Sequence, residues 1–150
     1  MMKILFINGS PDKSGRTVGL AETLLSGKTY DTIHLVDCKI YCYGQSYGDD
    51  ELPKVLTAMQ QADTIVIGSP VYWHNMSGAV RNLLDRLYGA LDRHSLTGKN
   101  LFFLFQGAAP EKWMIEAGEY SIRKFAQLYG LNYMGMATTA AQAKELGRRL

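Results

Sequence analysis

Three unbroken apolar runs, each closed by turn residues, limit what this chain can fold into more than any other feature. Ile4-Leu5-Phe6-Ile7 stops at Asn8-Gly9-Ser10-Pro11, Ile65-Val66-Ile67 at Gly68-Ser69-Pro70, and Leu101-Phe102-Phe103-Leu104-Phe105 at Gln106-Gly107. A strand with one wet face alternates apolar and polar residues. A continuous run is buried on both faces, which is the habit of parallel sheets. Thr32–Val36 and Asn132–Thr138 are weaker strand candidates.

Helical spacing fills the intervals. Val18, Ala21 and Leu25 make a short apolar face, with Gly27 placed as its C-cap. Leu52, Val55, Leu56 and Met59 make a second, with Pro53 in a first turn where no N–H is needed. Met76, Val80, Leu83, Leu84, Leu87 and Leu91 form a third face, and Met114, Ala117, Ser121, Ile122, Phe125 and Leu128 a fourth. A last helix is predicted over 140–150. Strands and helices thus alternate five times, and parallel neighbours require right-handed crossovers that put helices on both faces. The prediction is an α/β fold, a doubly wound, five-stranded parallel sheet in a single domain over residues 1–150. Ligands of such sheets bind beyond the carboxyl ends of the strands, which directs attention to the segments after the three strong runs.

Composition excludes several classes. The 16 basic and 14 acidic residues give a net charge of +2, and the cations are scattered, so no nucleic-acid footprint exists. A charged fraction of 20% with 11% aromatics excludes a disordered chain. No apolar run reaches the roughly 20 residues of a membrane span or the about 7–15 of a signal peptide. Cys38 and Cys42 cannot frame a secreted disulfide scaffold. A cytoplasmic protein without a membrane partner is the expectation. His34, His74 and His94 are isolated, and no Ser-His-Asp, H-E-x-x-H or metal-ligand spacing occurs, so no metal is expected and the lone histidines read as structural or solvated.

The first turn, Gly9-Ser10-Pro11-Asp12-Lys13-Ser14-Gly15-Arg16-Thr17, combines two glycines, three hydroxyls and two cations at a helix N-terminus. Backbone N–H groups, Ser10, Ser14 and Thr17 hydroxyls and the Arg16 guanidinium are the donors a phosphate needs. An ordinary β–α turn with Ser14 as N-cap is the competing reading. Five residues separate Gly9 from Gly15 where a nucleoside-triphosphate loop has four, and Arg16 stands where that loop has lysine. G-x-G-x-x-G is absent from this turn as well. A terminal phosphomonoester fits better than either nucleotide class.

The second turn, Gly68-Ser69-Pro70-Val71-Tyr72-Trp73-His74-Asn75-Met76-Ser77-Gly78, is unusually aromatic for a connection. Tyr72 and Trp73 suit stacking on a flat heterocycle, and N–H groups near Trp73, His74 and Asn75 suit its ring heteroatoms. A hydrophobic patch or subunit interface explains the same rings equally well.

Together the two turns, with Ser77-Gly78-Ala79-Val80-Arg81-Asn82-Leu83-Leu84-Asp85-Arg86 following the second, resemble the flavodoxin-like FMN reductase family over about residues 3–107. These are NAD(P)H-dependent flavin and quinone oxidoreductases, close also to the flavoprotein part of iron–sulfur flavoproteins. The resemblance implies a flavodoxin-like fold with strand order 2-1-3-4-5 and one bound FMN. It puts the phosphate at Ser10, Ser14, Gly15, Arg16 and Thr17. It puts the isoalloxazine against Pro70, Val71, Tyr72, Trp73, His74, Asn75 and Met76, with a third contact at Gln106 and Gly107. Three residues depart from the family pattern: Asp12 where a basic residue is common, Arg16 where asparagine is common, and His74 at a position that is usually small. Cys38 and Cys42 stand where iron–sulfur relatives keep a denser cysteine cluster, and two thiols are short of the four thiolates a cluster needs.

The implied chemistry is hydride from NADPH or NADH to the flavin, then electrons to a quinone, a flavin or a nitro- or azo-aromatic acceptor. A homodimer is implied, its second subunit completing the pocket. Two alternatives remain open: an FMN-holding electron carrier without nicotinamide turnover, which the charge of +2 disfavours, and a phosphate-ester or nucleotide binding module.

Overall fold

The computed structural model describes residues 1–150. The chain runs β1 (Ile4–Asn8), α1 (Arg16–Leu24), β2 (Asp31–His34), a 3-10 turn (Leu35–Asp37), α2 (Leu52–Gln61), β3 (Thr64–Tyr72), β4 (Asn75–Met76), α3 (Gly78–Leu87), β5 (Asn100–Gln106), α4 (Lys112–Tyr129), β6 (Asn132–Ala137), α5 (Ala140–Leu146) and a final 3-10 turn (Gly147–Arg149). Five strands are parallel in the order β2-β1-β3-β5-β6. With the two-residue β4 set aside, this is the predicted 2-1-3-4-5 order.

Alternation along the buried strands sorts side chains into two cores, one on each face. Leu5, Ile7, Ile65, Ile67, Leu101, Phe103 and Phe105 point to the larger, where Val55 and Met59 of α2, Val80, Leu83 and Leu87 of α3, and Ile122 and Phe125 of α4 cover them. Ile4, Phe6, Val66, Phe102 and Leu104 point to the smaller, covered by Leu20 and Leu24 of α1 and Ala143 and Leu146 of α5. Burial on both faces explains why the strong strands read as unbroken apolar runs.

Several boundaries differ from those predicted. β2 ends at His34, and Leu35 and Val36 belong to the 3-10 turn. α1 closes at Leu24 with Leu25 as its C-cap, so Gly27, at φ +76°, serves the following turn instead. α3 begins only at Gly78, because the Ser77 hydroxyl caps it by accepting from the Val80 N–H. Met76 therefore lies in β4, and Leu91 lies beyond the helix. The N-cap of α1 is Gly15, with no side-chain cap bond, rather than Ser14.

The long connection from β2 to α2 is fastened to α3. Asn82 Nδ2 donates to the Ile40 carbonyl at 2.8 Å and Arg86 Nη1 to the Tyr41 carbonyl at 2.9 Å. Arg86 Nη2 pairs with the Asp50 carboxylate, both side chains being largely buried. That guanidinium holds the Asp50 carboxyl below the usual aspartate range. A depressed carboxyl stabilises the fold above its unfolded pKa of about 4, and the contribution disappears as pH falls through the folded value. Asp50→Asn should therefore lower the thermal midpoint at pH 7, with the difference from wild type shrinking toward zero below about pH 4. Arg86→Ala should cost about 1–3 kcal/mol at pH 7 by leaving that carboxylate unpaired. Thermal melts across pH check both.

Candidate functional site

The carboxyl ends of β1, β3 and β5 meet at one edge of the sheet, and buried polar groups join them. Asn8, at the end of β1, has no exposed surface. Its Oδ1 accepts from the Ser10 N–H at 3.0 Å, and its Nδ2 donates to the Asp12 carbonyl at 3.2 Å. The same Nδ2 lies 3.0 Å from His34 Nδ1. The Gly9 N–H donates to the Gly68 carbonyl at 2.8 Å. Ser77 Oγ donates to the Gly9 carbonyl at 2.8 Å, while the Ser77 N–H donates to Ser69 Oγ at 2.8 Å. These bonds require Gly9, since a Cβ there would stand 2.2 Å from Val80 Cγ2 and 2.8 Å from the Gly68 carbonyl.

The first turn presents donors without protein acceptors. The N–H groups of Gly15, Arg16 and Thr17, at the start of α1, donate to no protein acceptor. Ser10 is buried and its Oγ accepts from the Asp12 N–H at 3.1 Å. Thr17 is buried, and its Oγ1 accepts from Gln106 Nε2 at 3.2 Å, which ties the first turn to the end of β5. Arg16 and Ser14 are exposed. Arg16 lines a cavity of about 410 Å³ with Gln106, Gly107, Thr138 and Thr139. Lys13 is drawn away to Asp37, 2.6 Å distant.

The second turn is not the open loop the sequence suggests. β3 runs on through Pro70 to Tyr72 and folds back as β4, with Val71 opposite Met76 and Tyr72 opposite Asn75. The two-residue tip is Trp73-His74, at φ +46° and +67°. Positive φ at both positions marks a type I′ hairpin turn, which normally takes Asn-Gly. Here it carries two bulky rings, a strained choice of residues. Trp73 is 93% exposed, Tyr72 about half exposed at 47%, and the His74 ring lies 5.7 Å from that of Trp113. Trp113 is steadied by its Nε1, which donates to Glu111 Oε2 at 2.9 Å. Val71, Trp73 and His74 line one side of a cavity of about 330 Å³, and Gly107, Ala108 and Pro110 line the other. Gly107 permits that approach, since a Cβ would meet Val71 Cβ at 3.0 Å.

The structure thus brings Ser10, Gly15, Arg16, Thr17, Val71, Tyr72, Trp73, His74, Gln106 and Gly107 to one edge. Pro70 is buried in β3, Asn75 Oδ1 accepts the Met76 N–H at 2.8 Å, and Met76 packs into the larger core. Asn8, Ser69, Ser77, Trp113 and Thr138 join the site without having been predicted. Asn8 and Ser77 carried a local signal in the strand-ending Asn-Gly-Ser and the Ser N-cap position. Trp113 carried none, because only the packing of α4 brings it to His74. A groove of about 450 Å³ between α3 and α4 is larger than either cavity, but none of its lining residues belongs to the turns that follow β1, β3 and β5.

The donor set fits a flavin phosphate and ring: free N–H groups at a helix start, one unpaired guanidinium, and a flat cleft walled by aromatic and small residues. Cys38 and Cys42 are two of the four thiolates an iron–sulfur cluster needs, so one chain does not hold a cluster by itself. Cys38 is half-buried with its thiol donating to the His34 carbonyl at 3.5 Å and its pKa raised by burial, and Cys42 is exposed. No helix is long and apolar enough to cross a membrane.

Residues 2–143 match the model of the family described as NADPH-dependent FMN reductase. An iron-sulfur flavoprotein of Archaeoglobus fulgidus is 41% identical over 98 residues, which cover 57% of this chain and 48% of that protein. An NADPH azoreductase of Bacillus sp. is 38% identical over 90 residues, covering 57% and 50%. The chain thus matches about half the length of these curated relatives. The fold superposes on the Trp repressor binding protein from Bacillus subtilis with a TM-score of 0.79 and 18% identity, over 98% of both chains.

Replacing Trp73-His74 with Asn-Gly should raise folding stability by about 1–3 kcal/mol, because both positions then adopt positive φ at little cost. Denaturant unfolding measures it, and an unchanged or lowered midpoint would show the tip to be unstrained.

Proposed function

The chain belongs to the NADPH-dependent FMN reductase family, and from that premise we propose that it holds one FMN at the carboxyl edge of the sheet. There it passes reducing equivalents from NADPH or NADH to a small acceptor: a quinone, a flavin, or a nitro- or azo-aromatic. The observation that carries this reading is the convergence of three strand ends, with Thr17 bonded to Gln106 and Ser77 to Gly9, around unpaired N–H donors and an aromatic cleft.

Each residue then has a physical task. The Gly15, Arg16 and Thr17 N–H groups and the Arg16 guanidinium hold the phosphate at the positive end of α1. Val71 and His74 face Gly107, Ala108 and Pro110 across the cleft that takes the ring. Bound flavin supplies the hydride and electron chemistry, and the protein supplies position and a dry surface. Trp73, His74 and Trp113 present flat apolar area that excludes water and stacks on the aromatic part of a nicotinamide or acceptor. The near-neutral charge supports a reductase over an acidic electron carrier. We further propose a homodimer, in which the exposed Trp73 ring is covered by the second subunit.

Titration with FMN tests the first step, and a protein that neither quenches nor retains the flavin overturns the reading. Mixing the loaded protein with NADPH or NADH without oxygen tests the second. Rapid loss of the yellow flavin band is expected, whereas colour that persists with both nicotinamides selects the electron carrier. Arg16→Ala should weaken FMN binding by about 1.5–3 kcal/mol, the range for a hydrogen bond to a charged group, and an unchanged dissociation constant removes Arg16 from the phosphate site.

A further inference from the structure

The groove of about 450 Å³ between α3 and α4 is not used by the flavin site. Leu84 and Phe125 are its buried members, and Tyr43 and Tyr88 stand at its rim, 61% and 65% exposed, with ring centroids 6.4 Å apart. The exposed aromatic rings of the chain belong to the connection from β2 to α2, the hairpin, α4 and the residue that closes α3. The helices α1 and α5, which cover the other face of the sheet, carry none. Aromatic rings exposed together mark a surface that another molecule covers.

The charges of the groove indicate which molecule. Arg81 and Asp85 stand about one turn apart on the exposed face of α3, and Lys124 lines the α4 side. None of the three takes part in any of the six ion pairs of the protein. Arg81 Nη2 donates to the Ser121 hydroxyl at 3.3 Å, and Lys124 Nζ to Gln127 Oε1 at 3.4 Å, so both cations have neutral partners. A face that holds both signs one turn apart complements neither an acidic nor a basic surface, but it complements itself. In a two-fold interface contacts are reciprocal: Arg81 reaches the partner's Asp85 while Asp85 reaches the partner's Arg81.

That reciprocity makes the two α3 helices antiparallel, and the same offset sets Tyr88 opposite the partner's Gly78. Room exists there, since Gly78 is exposed and nothing lies within 4 Å of where its Cβ would stand. Gly78 also lines a cavity of about 150 Å³ with Ser10 and Tyr72 at the carboxyl edge. Within one chain Tyr88 is about 15 Å along α3 from Gly78 and cannot cover that cavity itself.

We propose that the groove is the interface between two copies of this chain, that Arg81 and Asp85 pair across it, and that each Tyr88 closes the carboxyl edge of the other subunit's site. The inference rests on the homodimer and flavin reading above and adds the surface and the residue that one subunit lends the other.

Charge exchange tests it, with sedimentation reporting mass and flavin fluorescence reporting FMN binding. Wild type is expected to sediment as a dimer. Arg81→Asp creates two acidic like-charge contacts across the interface, and Asp85→Arg creates two basic ones. Each should weaken the dimer by about a hundredfold or more and sediment as a monomer. An equimolar mixture of the two variants should sediment as a dimer, because each then meets its opposite, and the double variant Arg81→Asp with Asp85→Arg should dimerise like wild type. Recovery in the mixture also shows that the single variants are folded. FMN should bind each monomeric variant about threefold or more weakly than wild type, and the mixture should regain the affinity. Single variants that remain dimers, or a mixture that stays monomeric, overturn the groove as interface while a homodimer through another face stands. A monomeric wild type overturns the homodimer as well. Equal FMN affinity in monomers and dimers overturns the role of Tyr88 alone. Binding of FMN by none of these proteins overturns the flavin reading, while mass still decides the interface.

Discussion

The hydroxyl of Ser77 is the point on which the carboxyl edge of this sheet depends. It donates to the Gly9 carbonyl and accepts the Val80 N–H, while the Ser77 backbone reaches Ser69 Oγ. The hydroxyl thus starts α3 and fixes the turn after β1, and the backbone N–H of the same residue joins both to the end of β3. Water does not reach these groups, so each donor and acceptor lost would leave a partner unsatisfied, at about 1–3 kcal/mol. The arrangement also sets the separation of the two turns that form the proposed site. Gly9 has no room for a side chain because the bond draws its backbone against Val80 and Gly68.

Around that rigid centre, local rules are broken where the site faces solvent. The hairpin tip carries Trp73-His74 at positive φ where Asn-Gly would be comfortable. The phosphate turn carries a carboxylate among its donors. Rings of this size lie beside solvent at His74 and Trp113 rather than in a core. Each departure weakens the fold or the generic binding site, and each lies within the same edge. Strain and unfavourable charge persist where the surrounding structure over-determines them, and such positions cluster at functional sites.

Much of this was legible in order of chemical strength. The runs 4–7, 65–67 and 101–105 predicted buried parallel strands, and they are β1, β3 and β5 with side chains divided between two cores. The spacing of Val80, Leu83, Leu84 and Leu87 predicts α3 but starts it at Met76, two residues before Gly78, because the apolar period continues through the hairpin. Periodicity counts apolar positions and is blind to a chain reversal between them. The turns themselves point to Thr17 and to Gln106 but carry no sign of their mutual bond, since 89 residues separate them. Asp12 was visible as an unusual residue, while its direction into the turn depends on Asn8 and Ser10.

By itself, then, the sequence determined the sheet, the helices that cover it and the two turns that bear donors and rings. Those properties follow from periodicity and residue type, which act over a few neighbouring positions. Only the tertiary structure decided that Pro70–Met76 is a strained hairpin, that Trp113 comes to His74, that Lys13 leaves the phosphate turn for Asp37, and that Asp12 stays in it. Each of these is a contact or a backbone reversal whose partners are supplied by packing, and composition and spacing carry no record of which partner is met.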